Sequence, residues 1–117
     1  MNYVNLDYLC AEYGQNIIPK SKEDEVIIQN SLGVLQEDGL FAFILFLETK
    51  NGNITSYIRE ETAKLLNETG LTEDANKESI MNNILKITEN IDDMFLAKDL
   101  IEKTLVYARY HAKTLKK

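Results

Sequence analysis

The feature that most constrains this chain is a run of eight consecutive apolar residues at 40–47, inside the segment EDGLFAFILFLETKNGN (37–53). Gly39 precedes the run, and an Asn51-Gly52-Asn53 turn follows it. A short apolar run suits a buried strand or a buried helix equally, and Asn-Gly is the strongest short-range hairpin signal. A hairpin would need ITSYI (54–58) as its second strand. That segment instead continues into REETAKLLNETG (59–70), whose pattern and propensity are helical. A lone two-stranded hairpin among amphipathic helices is also poorly stabilised. A helix that is apolar on all sides is what a bundle places at its centre. Residues 40–49 are therefore expected to be the central buried helix of an all-α bundle.

The remaining segments carry helix punctuation. Asn5 can cap a helix over residues 6–13, with Gly14 as its stop. Pro19 breaks the chain, and Ser21 with Asp24 then resembles a capping box ahead of the acidic turn Glu23-Asp24-Glu25. Ile28, Leu32 and Leu35 follow at i, i+4, i+7, ending near Gly39. Ile54, Tyr57, Ile58, Leu65 and Leu66 share one face of a helix ending at Gly70. Ile80, Ile84, Ile87 and Ile91 keep the same spacing, and Met94, Ala97, Ile101, Leu105, Ala108, Ala112 and Leu115 extend it over about seven turns. With 117 residues and 44% apolar content, one domain over 1–117 with about five to six helices is expected.

Charge is distributed unevenly. The net charge is −6, yet no acidic residue follows Glu102, and Lys103, Arg109, Lys113, Lys116 and Lys117 give the last fifteen positions +5. The first 102 residues hold the balance of −11. Such an acidic body does not attract nucleic acid by bulk charge, so only the final helix offers a cationic face. Basic residues there also complement a helix dipole. Cys10 is the one cysteine, which excludes an internal disulfide and fits a reducing compartment. The opening MNYVNLDYLCAEYG lacks a charged n-region and a continuous apolar h-region, and no apolar run reaches the roughly 20 residues that span a bilayer. A cytoplasmic protein is expected, with no membrane partner.

The inventory of reactive groups is short. One His and one Cys give no Cys/His zinc set and no pair of histidine ligands. Asp92-Asp93 open the last helix, where acid favours the dipole, and Glu60-Glu61 point about 100° apart around theirs. No glycine-rich phosphate loop or nucleophile elbow is present. A non-enzyme without cofactor or metal is expected. Tyr107 and Tyr110 lie among Arg109, Lys113 and Lys116, and aromatic rings interleaved with cations are one way to hold single-stranded nucleic acid. Arg109, Lys113 and Lys116 recur at i, i+4, i+7, which suits a backbone-tracking surface and a solvated helix edge alike.

The segment SLGVLQEDGLFAFILFLETK (31–50) resembles the signature of the small all-helical subunit of the Cmr complex, the type III-B CRISPR RNA-guided effector. In that family a helix ends at a small polar residue and Gly-Leu, and an apolar helix ending in Phe-Leu follows. Asp38, Gly39, Leu40, Phe46 and Leu47 occupy those places. Tyr107-Ala108-Arg109-Tyr110-His111-Ala112 is similar to the family's closing Trp-Leu-Lys-Arg-aromatic-Ala pattern, keeping Arg109 and Ala112. It departs from that pattern at Tyr107, where Trp is preferred, and at Tyr110, where a second basic residue is usual.

The resemblance implies a non-catalytic scaffold for antiviral defence. Such subunits stack side by side along the effector's backbone filament and flank the guide–target duplex. The implied partners are other effector subunits, guide and target RNA, and further copies of the chain. Contacts would be to phosphate and sugar, since base pairing reads the sequence. Lys103, Arg109, Lys113 and Lys116 are the expected RNA-facing cations. The rival expectation, from charge alone, is an acidic immunity or adaptor protein that neutralises a basic partner. Its surface would be Glu23-Asp24-Glu25, Glu60-Glu61 or Glu73-Asp74.

Overall fold

Asn5 opens the first helix as its side chain accepts a hydrogen bond from Tyr8 N (3.0 Å), giving α1, Leu6–Gln15. A computed structural model of the chain describes residues 5–50 and 52–115. Ser21 caps α2, Lys22–Asp38, through Asp24 N (3.1 Å), while the Asp24 carboxylate reaches back to Lys20 N (2.8 Å). Gly39 ends α2 and begins α3, Leu40–Thr49, at φ 95°, a conformation costly for any residue with a Cβ. Helix α4, Asn53–Glu68, closes on Gly70 in a Schellman arrangement, with Leu71 N donating to Leu66 O (2.9 Å) and Gly70 N to Asn67 O (3.0 Å). A short 3₁₀ turn, Lys77–Ser79, leads into α5, Ile80–Ile87, and Asn90 caps α6, Ile91–Thr114. The described residues form six α-helices and no strand, so the Asn-Gly signal opens a helix. The all-α bundle expected from the sequence is what forms.

Three local features differ from expectation. Helix α1 runs through Gly14, which does not stop it. Ile91 is 64% exposed because the chain turns after Ile87 and Ile91 starts a new helix. Leu115 is likewise exposed, at the end of α6.

The apolar helix α3 is not buried all round. Leu40, Phe43, Ile44 and Leu47 are buried, but Phe41 (44% exposed) and Leu45 (43%) lie on its open side. Helices α2, α4 and α5 pack against it, leaving that side uncovered. The axis of the bundle is α6 instead, packed by α1, α2, α4 and α5. Length explains the exchange. Ten residues of α3 span about 15 Å, whereas the 24 of α6 span about 36 Å. That matches the 40 Å long dimension of the molecule.

Helix α1 sits tightly on α6. Cys10 Sγ donates to Leu100 O (3.3 Å), and Thr104 Oγ1 donates to the same carbonyl (2.8 Å). Burial pushes the Cys10 thiol pKa up, which keeps it protonated. A Cβ on Gly14 would stand 2.7 Å from Thr104 O, so only glycine allows this approach.

On its other side α1 is tied to α4 by polar groups. The buried Glu61 carboxylate accepts from Asn16 Nδ2 (2.9 Å) and pairs with Lys64 (3.4 Å). The Tyr13 hydroxyl donates to Glu68. Desolvation, then this hydrogen bond, raises the Tyr13 pKa far above its ordinary value. An unfolded tyrosine ionises near pH ~10, so the stability Tyr13 contributes is complete below that pH and is lost as pH rises beyond it. The substitution Tyr13→Phe should flatten the alkaline decline of stability, as read from urea midpoints between pH 9 and 11.5. An unchanged decline would show that Tyr13 ionises as easily folded as unfolded.

Candidate nucleic-acid interface

The cations expected to face RNA all arise from α6 or the residues just after it, and their surroundings differ. Arg109 and Lys113, one turn apart, point along the α2 side of the helix. Together with Glu25, Ile28, Gln29 and Ala112 they line a cleft of about 220 Å³ between α2 and α6. The Tyr110 ring, 55% exposed, gathers both charges: the Arg109 guanidinium and the Lys113 ammonium each lie 5.4 Å from its centroid. Arg109 is half-buried, and its Nε is enclosed without a hydrogen-bond partner among the described residues. Arg59 Nε is enclosed in the same way, so the groups of Arg109 open to a ligand are those of its guanidinium other than Nε.

Lys103 stands apart from this pair. It is exposed and shares a groove between α1 and α6 with Asp7, Asp99, Glu102, Val106, Tyr107 and Tyr110. The structure therefore brings Arg109 and Lys113 together around Tyr110 and sets Lys103 among carboxylates. Lys116 lies outside the described residues. His111 is half-buried and lines a shallow hollow with Ala11, Gln15, Tyr107, Tyr110 and Thr114.

Sequence reasoning missed Gln29, and it placed Glu25 on a separate acidic surface rather than in one cleft with Arg109. It also missed the grouping of Asp7 with Asp99 and Glu102. The signal for the first was available, because Glu25, Ile28 and Gln29 share one flank of α2 at helical spacing. No local signal existed for the second, since Asp7 stands at the opposite end of the chain.

The acidic pairs are also sorted by the fold. Glu61 is buried and satisfied by Asn16 and Lys64, while Glu60 faces solvent with Lys64 at 3.4 Å. Among the described residues no three His, Cys, Asp or Glu side chains are grouped to hold a metal ion. No described helix is long and apolar enough to cross a membrane. Comparison with protein-family models, with curated proteins and with solved structures gave no match.

Proposed function

We propose that this chain is a non-catalytic scaffold subunit of a type III CRISPR RNA-guided effector complex, working in the cytoplasm in antiviral defence. In this reading it stacks beside further copies of itself and other subunits, along the guide–target duplex. The observation that carries it is the Arg109–Tyr110–Lys113 cluster, two cations held on one exposed aromatic ring at the flank of a long helix. The resemblance of residues 31–50 and 107–112 to the small Cmr subunit supports the same reading. The RNA contact is assigned to Arg109 and Lys113, extended by Lys116. Lys103, ringed by carboxylates, contributes less.

The rival reading, an acidic adaptor for a basic partner, loses part of one expected surface. Glu61 is spent inside the fold, so Glu60-Glu61 cannot act as a pair.

Charge reversal tests the assignment. The double variant Arg109→Glu/Lys113→Glu should bind an RNA duplex at least tenfold more weakly at low salt. Its plot of log affinity against log salt should be shallower by about 2, one counterion-release unit per lost phosphate contact. Binding unchanged across the titration would remove Arg109 and Lys113 from the interface. Tagged purification from the native host tests the assembly. Recovery of other effector subunits with short guide RNAs is expected, and recovery of one basic protein without RNA would overturn the reading.

A further inference from the structure

The groove between the start of α1 and the middle of α6 is a separate site. Its cavity is about 450 Å³, and its floor is Val106 with the rings of Tyr107 and Tyr110. The Tyr107 hydroxyl donates to Asp7 (2.7 Å), which ties that ring to the start of α1. Asp7, Asp99 and Glu102 line the groove with the single cation Lys103; one oxygen of Glu102 accepts from Gln36 Nε2 (2.7 Å) and one of Asp7 from Tyr107, so each keeps its second oxygen and Asp99 keeps both for a ligand. Among the described residues no ion pair joins Lys103 to any of them. The rim therefore carries a net charge of −2, on a body that is itself acidic.

We infer that this groove docks an arginine-bearing segment of a partner protein. Charge complementarity selects the occupant: three carboxylates repel phosphate, so RNA is excluded from the groove and confined to the α2 side of Tyr110. The aromatic floor selects arginine over lysine. A planar guanidinium stacks on a tyrosine face while donating in a fork to carboxylates, which a compact ammonium cannot do. Tyr110 thus divides two surfaces of opposite sign, one for phosphate and one for a basic protein segment. The inference does not rest on the nucleic-acid reading.

The test uses hexa-arginine peptide and a separate hexa-uridylate, each titrated into the ¹⁵N-labelled full chain at low salt. The peptide should shift the amides of residues 6–10 and 99–107, which the groove does not share with Arg109 and Lys113. Its affinity should fall about tenfold in Asp99→Asn/Glu102→Gln, whose side chains are exposed and half-buried and leave the core untouched. Hexa-lysine should bind the wild type more weakly than hexa-arginine. The proposal is overturned if the peptide shifts instead follow residues 23–25 or 73–74. It is equally overturned if the double variant binds hexa-arginine as the wild type does, or if hexa-uridylate shifts the groove. Loss of hexa-uridylate binding in Arg109→Glu/Lys113→Glu with peptide binding retained would separate the two surfaces.

Discussion

Phe43→Ala should destabilise the protein by about 3–5 kcal/mol, while Phe41→Ser, two residues away on the same helix, should cost only about 1–2 kcal/mol. Phe43 is fully buried in the core, among the largest side chains there. Its removal leaves a cavity that close-packed neighbours fill only in part. Against a total stability of about 5–15 kcal/mol that is a large fraction, equivalent to a fall in melting temperature on the order of 15 °C. Phe41 is 44% exposed on the uncovered side of α3, so truncation there removes less buried area and opens no enclosed cavity. Urea denaturation of the two variants measures the difference. Comparable losses at both positions would mean that α3 is enclosed on all sides, as its composition alone implies.

That pair of variants also locates where sequence reading stops. The limits of α3 were legible because Gly39 sits at φ 95° and marks a forced change of direction. Its helical state was legible because the following segment could not serve as a strand. Its exposure was not, since burial depends on how many neighbours arrive, and a ten-residue helix cannot span the bundle. Of the α6 stripe Met94, Ala97, Ile101, Leu105, Ala108, Ala112 and Leu115, the five from Ala97 to Ala112 are buried, while Met94 is half-buried and Leu115 exposed. Ile91 extended the preceding stripe only because the step from Ile87 is four residues, the spacing of one helical face. Asn90, whose side chain accepts from Asp93 N (3.0 Å), resets the register there.

The candidate site divides in the same way. Arg109 and Lys113 are one turn apart on one helix, so their convergence follows from local geometry and was legible. Their common contact with Tyr110 follows from the same turn. The environment of Lys103 followed only in part, because Asp7 is carried to it by the packing of α1 on α6. Position on the helix alone placed Lys103 with the other cations. Asp99, at i−4, and the adjacent Glu102 were legible neighbours of Lys103 on its own helix, and tertiary packing added Asp7 alone.

That packing depends on Gly14, and Gly14→Ala should lower stability by about 2 kcal/mol, with Gly33→Ala raising it by about 0.5–1 kcal/mol. Both glycines lie inside helices, where alanine is the better helix former by up to about 1 kcal/mol. At Gly33 nothing lies within 4 Å of the added Cβ, so the propensity gain stands alone. At Gly14 the Cβ would meet Thr104 O at 2.7 Å, Tyr107 Cβ at 3.0 Å and Ala108 N at 3.1 Å. These atoms are backbone or fixed to it, so none can rotate away, and α1 must move off α6. The overpacking cost then exceeds the propensity gain. Moving α1 also draws Asp7 away from the Tyr107 hydroxyl and opens the acidic groove, while Arg109, Tyr110 and Lys113 keep their places on α6 and beside α2. Thermal denaturation should show shifts of opposite sign for the two alanines. Hexa-arginine binding should weaken in Gly14→Ala with RNA binding preserved. Shifts of the same sign would mean that α1 does not approach α6 through Gly14.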